Sequence, residues 1–397
     1  MSVVTPPAAP RPADRGDLGQ LARLFLRLGS TAFGGPAVHI AMMEEEVVRR
    51  RGWLTHDEFL DLLGATNLIP GPNSTEMAIH IGYSRAGWAG LLLAGSCFIL
   101  PAVIIVTALG WAYVRFGTLP EVAALLYGIK PVVIGIVVQA LVGLGQAALK
   151  TPWLAVLGVG ATVAALLGVN ELLILVMAGV IVLLARGGVG AKALMPFATF
   201  RGREAGLAGG ALTPILAGGA ALASPSLWSL FAIFLKIGSV LFGSGYVLLA
   251  FLRADLVQRL GWISEGQLLD AVAVGQVTPG PVFTTATFIG YLVAGMSGAA
   301  VATAGIFLPA FVFVGLSAPW LGRLRQSSAL RAVLDGVNVA SLALMVAVTL
   351  QLGRVALVDP VTVVLAILAT WCLFRYRLNS LWLVLGGAIV GLFKLAL

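Results

Sequence analysis

Two Pro-Gly-Pro runs are the positions where the residue types of this sequence favour a binding site. They are Pro70-Gly71-Pro72 and Pro279-Gly280-Pro281. Two prolines around a glycine interrupt a helix, because backbone donors are missing and the rings clash. The helix that begins after each run points free N–H groups and its positive dipole end at the break, which predicts an anion site. The polar residues expected at this site are Asn73, Ser74 and Thr75 after the first run and Thr284 and Thr285 after the second.

Two Phe-Gly turns predict a second pair of breaks near the same site. The first is Phe33-Gly34-Gly35 and the second is Phe242-Gly243-Ser244. Each interrupts an apolar segment, so we expect discontinuous helices there. Two alternatives remain open: small residues at these turns also suit close helix packing, and the Pro-Gly-Pro runs could serve only as kinks.

Five ionisable residues lie in or beside apolar segments, where a charge is costly and often functional. Lys130 and Lys236 are candidates to balance an anionic substrate. Glu76, Asp61 and Asp270 are candidates to exchange a proton that drives transport. The alternative is that the lysines snorkel to the interface and that the acids are solvated there.

The composition is typical of a membrane protein. Of the 397 residues, 59% are hydrophobic and 11% are charged, compared with roughly 45–50% and 25% in soluble domains. A net charge of +8 is interpreted as positive-inside topology signals and contact with lipid, not as nucleic-acid binding. We therefore predict an all-α polytopic membrane protein with the lipid bilayer as a partner.

The apolar segments predict how the chain crosses the bilayer. Four are long enough to span it, namely residues 87–113, 122–147, 294–320 and 333–353. Residues 153–185 and 360–397 are each interrupted by a polar break, so each predicts a hairpin of two short helices. The segments that carry the Phe-Gly and Pro-Gly-Pro breaks are too irregular for simple spans.

An internal duplication organises these segments. Pro70-Gly71-Pro72 recurs after 209 residues, and Gly52-Trp53 recurs with the same shift as Gly261-Trp262. We predict a disordered tail over residues 1–17, a first repeat over 18–186, a linker over 187–227 that can include one span, and a second repeat over 228–397. The charged loops predict opposite orientations for the two repeats, an arrangement common among secondary transporters.

Some function classes lack their motifs. The sequence has no phosphate-binding loop, no His-Glu-x-x-His or Cys-x-x-Cys metal motif and no Gly-x-Ser-x-Gly elbow. We therefore predict no cofactor, no metal site and no catalytic residues. A secondary transporter that uses an ion gradient is favoured over an ATP-driven pump and over an enzyme.

The paired motifs resemble those of the chromate transporter family, in its long, two-domain bacterial form. The resemblance rests on Pro70 to Glu76 and Thr278 to Phe283, with the Phe-Gly turns and Gly52-Trp53-Leu54. It implies a multi-pass exporter of chromate in the bacterial cytoplasmic membrane, driven by an ion gradient or the membrane potential, that confers chromate resistance. It also implies homologous halves of opposite orientation.

Three questions stay open at the level of sequence. Chromate and sulfate are both tetrahedral dianions, so a transporter of sulfate or another oxyanion is an alternative. A proton-coupled carrier of another small solute is a second alternative. The oligomeric state is also open, with a homodimer as one option.

Overall fold

The computed structural model describes residues 15–186, 225–242, 245–317, 327–376 and 378–396. Most of the predicted tail and linker, together with Gly243 and Ser244, lie outside the described residues. The described chain is helical and contains no strands, which confirms the predicted all-α class. The first repeat holds seven helices: α1 (Arg15–Thr31), α2 (Pro36–Glu44), α3 (His56–Thr66), α4 (Asn73–Phe116), α5 (Pro120–Ala148), α6 (Pro152–Leu166) and α7 (Glu171–Ala185).

The described part of the second repeat has the same order. Its helices are α8 (Leu227–Val240), α9 (Leu248–Leu252), α10 (Glu265–Val277), α11 (Thr285–Ser317), α12 (Ser328–Ala356), α13 (Pro360–Tyr376) and α14 (Ser380–Ala396). π-helical turns extend α2 over Glu45–Arg50 and α9 over Arg253–Arg259. Short 3-10 turns over Gly245–Val247 and Val282–Thr284 precede α9 and α11. The two predicted short hairpins are present as α6–α7 and α13–α14.

The chain reverses inside α4 and again inside α11. Gly87 has a φ of 57°, which a residue without a Cβ adopts readily. A Cβ atom on Gly82 would lie 2.2 Å from the carbonyl oxygen of Gly90, so the residues on either side of Gly87 lie side by side. Gly295 makes the equivalent reversal in α11, with a φ of 62°. We refer to residues 73–85 and 88–116 as α4a and α4b, and to residues 285–293 and 296–317 as α11a and α11b.

The first repeat begins with two helical hairpins whose open ends lie together. Arg85, at the end of α4a, forms an ion pair of 2.6 Å with Asp17 at the start of α1. The same guanidinium lies 5.2 Å from the ring of Trp53, between α2 and α3. The turns at residues 33–35 and 67–72 are therefore at the far ends of the hairpins. With 13 residues, α4a is about 20 Å long, too short to cross a bilayer core of about 30 Å.

The equivalent helices α4b and α11b pack against each other in opposite directions. Trp88, at the start of α4b, would be 2.5 Å from a Cβ on Gly315, near the end of α11b. Gly95 lies against Phe311 further along the same pair. Antiparallel packing of equivalent helices is the arrangement that inverted repeats require. The orientation of each repeat relative to a bilayer stays a prediction.

Each repeat also packs on the short C-terminal hairpin of the other. Helix α5 lies against α13 and α14, and α12 lies against α6 and α7. Glycines allow these close crossings: a Cβ on Gly128 would clash with the carbonyl oxygen of Gly387. At one end of this contact, the Lys394 ammonium and the Tyr127 hydroxyl hold the pKa of the Asp359 carboxyl well below its usual range.

Four of the described helices, none of them in the short hairpins, are long and apolar enough to cross a membrane. The outer faces of the short hairpins α6–α7 and α13–α14 are apolar and exposed. Such large apolar surfaces are unfavourable in water and suit contact with lipid, as expected for a membrane protein. The exposed side chains include Val156, Val159, Leu184, Ile367, Trp382 and Phe393.

Candidate anion site

The four breaks predicted from the sequence meet at one cavity. It has a volume of about 80 Å³, more than a single water molecule requires. Each break contributes the residues that open its second helix. The lining residues are Pro36, Ile40, Pro72, Asn73, Ser74, Gly245, Pro281, Val282 and Phe283.

Two reciprocal hydrogen bonds hold the hairpin ends together. The Gly71 N–H donates to the carbonyl oxygen of Leu241 over 2.8 Å, and the Gly280 N–H donates to that of Ala32 over 3.0 Å. Both the donors and the acceptors are related by the shift of 209 residues. Each Pro-Gly-Pro turn therefore contacts the Phe-Gly turn of the other repeat, as expected for a pseudo-two-fold axis.

Three helix N-termini at this cavity, all within the described residues, have no side-chain caps. Gly35, Pro72 and Pro281 occupy the N-cap positions, and none provides a capping hydrogen bond. Thr55 and Ser264, at the outer ends of α3 and α10, instead form complete capping boxes. The first N–H groups at the cavity lack these side-chain acceptors. Together with the helix dipoles, they make the cavity favourable for an anion.

The predicted polar residues differ in their relation to the cavity. Asn73 and Ser74 line it, and the Asn73 amide donates to Asn67 Oδ1 over 2.9 Å. The hydroxyls of Thr284 and Thr285 donate to carbonyl oxygens of their own turn, each over 2.8 Å. In this conformation the described residues of the second repeat that line the cavity therefore present backbone and apolar groups to it.

Several lining residues were not predicted from the sequence. Pro36, Ile40, Gly245, Val282 and Phe283 line the cavity, whereas Phe33 and Phe242 are not among its lining residues. Each missed residue lies within five positions after a predicted break. The breaks were the correct signal, but the cavity is on their C-terminal side.

The predicted lysines are both paired with buried carboxylates. Lys130 Nζ lies 3.1 Å from Asp270 Oδ1, and the Tyr113 hydroxyl donates to Asp270 Oδ2 over 2.8 Å. Lys236 Nζ lies 2.5 Å from Asp255 Oδ2. Asp61, the sequence equivalent of Asp270, is exposed.

The Lys236 pair has an equivalent in the first repeat that the sequence analysis missed. Arg27 lies 2.6 Å from Glu46, and Arg50 lies 3.2 Å from the same carboxylate. A shift of 209 residues relates Arg27 to Lys236 and Glu46 to Asp255. The shift itself is therefore the signal that could have found this pair.

Glu76 is the most isolated carboxyl group near the cavity. It is fully buried, and within the described chain neither of its oxygens has a hydrogen-bond partner. It lies in the first turn of α4a, and a Cβ on Gly71 would be 2.3 Å from its Oε1. His80, one turn later, is also buried and has an unpartnered Nε2 within the described chain.

We expect Asp270→Asn to destabilise the protein by roughly 3–5 kcal/mol, because it leaves the Lys130 ammonium largely buried without a counter-charge. Replacing both residues with apolar ones, as Lys130→Met with Asp270→Leu, should recover much of this loss. The measurement is thermal unfolding of the purified protein in detergent. Lys150→Ala is the matched control, since its exposed pair with Asp335 should contribute about 1 kcal/mol or less. If Asp270→Asn alone is as stable as the wild type, the ion pair has no structural role.

Comparisons with known proteins agree with the duplicated architecture. The family model described as chromate transporter matches residues 19–183 and again residues 228–392. The chromate transport protein of Cupriavidus metallidurans is 34% identical over 94% of this chain and 92% of its own length. That of Pseudomonas aeruginosa is 33% identical over 94% and 91%, and a probable chromate transport protein of Synechococcus elongatus is 32% identical over 94% and 95%. No solved structure matches the chain.

Proposed function

Because this chain belongs to the chromate transporter family, we propose that it is a secondary transporter that exports chromate across the bacterial cytoplasmic membrane and confers chromate resistance. The relatives named chromate transport proteins support the substrate. The cavity supports the chemistry, since uncapped helix N-termini from both repeats meet there. That convergence is the observation that carries the proposal.

The proposed site binds the dianion mainly through backbone N–H groups. The uncapped first turns of α2 and α4a provide donors from the first repeat, and the turn at Val282 provides them from the second. Asn73 and Ser74 add side-chain donors. Lys130 and Lys236 contribute less directly in this conformation, because each is paired with a carboxylate.

The proposed energy source is an ion gradient or the membrane potential. The sequence has no phosphate-binding loop for ATP, and the antiparallel packing of equivalent helices is typical of secondary transporters. Glu76 is the proposed proton-coupling residue of the first repeat. Its burial beside the Gly71 turn places a titratable group next to the anion cavity.

Transport of labelled chromate into inside-out vesicles tests the proposed function. We expect uptake that requires the protein and falls when the proton gradient and membrane potential are collapsed. Labelled sulfate, measured in parallel, tests the alternative oxyanion, because the backbone donors do not distinguish two tetrahedral dianions. Uptake of sulfate without uptake of chromate would identify sulfate, and not chromate, as the substrate. Uptake of neither anion would contradict an oxyanion transporter.

A further inference from the structure

A wide groove opens beside the anion cavity in the first repeat, on one side of α2. It lies between α1 and α2 and has a volume of about 910 Å³. Arg27 and Arg50 line its charged end, while Thr31 and Ala37 line the end next to the Phe-Gly turn. Pro36 and Ile40 of the same helix line the anion cavity. Helix α2 therefore separates the groove from the site.

The equivalent surface of the second repeat is closed. Val38 of α2 is 39% exposed and lines the groove, whereas its equivalent Val247 is 0% exposed. Ala41 is exposed, but its equivalent Ala250 is buried. Residues Val247–Phe251 belong to the main core, where α9 and the turn before it contact α12. Two segments with corresponding sequences thus adopt an open and a closed arrangement in one structure.

An ion pair shows the same asymmetry. Asp270 in α10 is buried against Lys130 of α5, while the equivalent Asp61 in α3 is exposed. After the Pro-Gly-Pro runs the shift between the repeats is 208 residues, as between Gly87 and Gly295, so the sequence equivalent of Lys130 is Asn338. The second repeat's hairpins are thus held by contacts that differ from those around the first repeat's hairpins.

We propose that the groove is the open access route to the anion cavity and that α2 is its gate. This inference rests on the proposed function. In the other state of the transport cycle, α2 packs against α5 in the way that α9 packs against α12 in this structure. The turn at Gly245 then opens a route to the cavity from the opposite side of the membrane. Exchange of conformations between two equivalent repeats gives alternating access to a fixed central site. The paired charges at Arg27 and Arg50 keep the open end of the groove wet.

Cysteine labelling at the two equivalent positions tests this exchange. Val38→Cys and Val247→Cys are made separately in a protein whose two native cysteines have been replaced by Cys97→Ala and Cys372→Ala. A charged, water-soluble thiol reagent is applied to right-side-out and to inside-out vesicles. Without substrate, we expect Val38→Cys to react from one side and Val247→Cys to react slowly. Saturating chromate should slow Val38→Cys several-fold and speed Val247→Cys several-fold from the opposite side.

A third variant controls for reactions of chromate with thiols. Leu167, in the turn between α6 and α7, is 78% exposed, so Leu167→Cys should label at the same rate with and without chromate. Failure of Val38→Cys to react from either side would overturn the proposal, because the groove would then hold lipid. The proposal would also be overturned if chromate changed the labelling rates of Val38→Cys and Val247→Cys in the same direction.

Chromate uptake by the same variants separates the two proposals. Normal uptake with unchanged labelling at Val38→Cys and Val247→Cys would overturn the gate and leave the proposed function intact. Absence of chromate uptake in the wild type would overturn the proposed function, and labelling without substrate would still decide whether the groove is water-filled.

Discussion

Replacing Gly71 with alanine should reduce chromate transport at least tenfold while the protein still reaches the membrane. Gly71 has a φ of 146°, a conformation that L side chains rarely adopt. A Cβ atom there would lie 2.3 Å from Glu76 Oε1, so the turn or the glutamate must move. The Gly71 N–H also holds the turn to Leu241. Backbone strain of about 1–3 kcal/mol corresponds to roughly a fivefold to hundredfold loss of the native turn, before the clash is added.

Gly280→Ala should have the same effect from the other repeat. Gly280 has a φ of 92°, and a Cβ there would lie 2.8 Å from the side chain of Ala102. Uptake of labelled chromate, normalised to the amount of protein in the membrane, measures both variants. Gly143→Ala is the control, because a Cβ on Gly143 meets nothing within 4 Å. Wild-type uptake by Gly71→Ala would show that the turn does not shape the anion site.

The repeat and its breaks were predictable from local sequence. Two prolines around a glycine, or two consecutive glycines, favour a helix break wherever they lie in the chain. The runs at Pro70 and Pro279 and the glycines after Phe33 therefore marked the breaks without knowledge of the residues that contact them. The start of a span at Gly87 was also predicted, but the chain reversal there was not. A glycine in an apolar run is compatible with a straight helix, and only the close contact between Gly82 and Gly90 distinguishes the hairpin.

The contacts between repeats could not be read from the sequence. The hydrogen bond from Gly71 to Leu241 joins residues 170 positions apart, and backbone donors leave no mark on residue type. Lys130 carried a visible charge, yet its partner Asp270 lies 140 positions away and was assigned a separate role. The pairing of Lys236 with Asp255 was more accessible, because the corresponding residues Arg27 and Glu46 are oppositely charged at the same spacing of 19 residues.

Glu76 has no counterpart in the second repeat, where Thr285 stands at the corresponding position. Its carboxyl group is fully buried without a hydrogen-bond partner in the described chain. An ionised carboxylate in such a place is far more costly than a neutral acid. A charge on Glu76 would also repel a dianion in the adjacent cavity. Protonation of Glu76 therefore favours the loaded cavity, and loss of the proton favours release.

Glu76→Gln should abolish the response of chromate transport to a proton gradient, because glutamine has the shape of the protonated acid but cannot ionise. A proton that binds with chromate crosses in the same direction as chromate. In inside-out vesicles held at a fixed membrane potential, we therefore expect the wild type to take up chromate faster when the external medium is more acidic than the lumen than when the two have equal pH. The glutamine variant should transport at one rate in both conditions while still binding chromate. Glu121→Gln, at the exposed start of α5, should respond as the wild type does. A full response to the gradient in Glu76→Gln would assign proton coupling to another residue, and its buried neighbour His80 would be the next to test by His80→Gln.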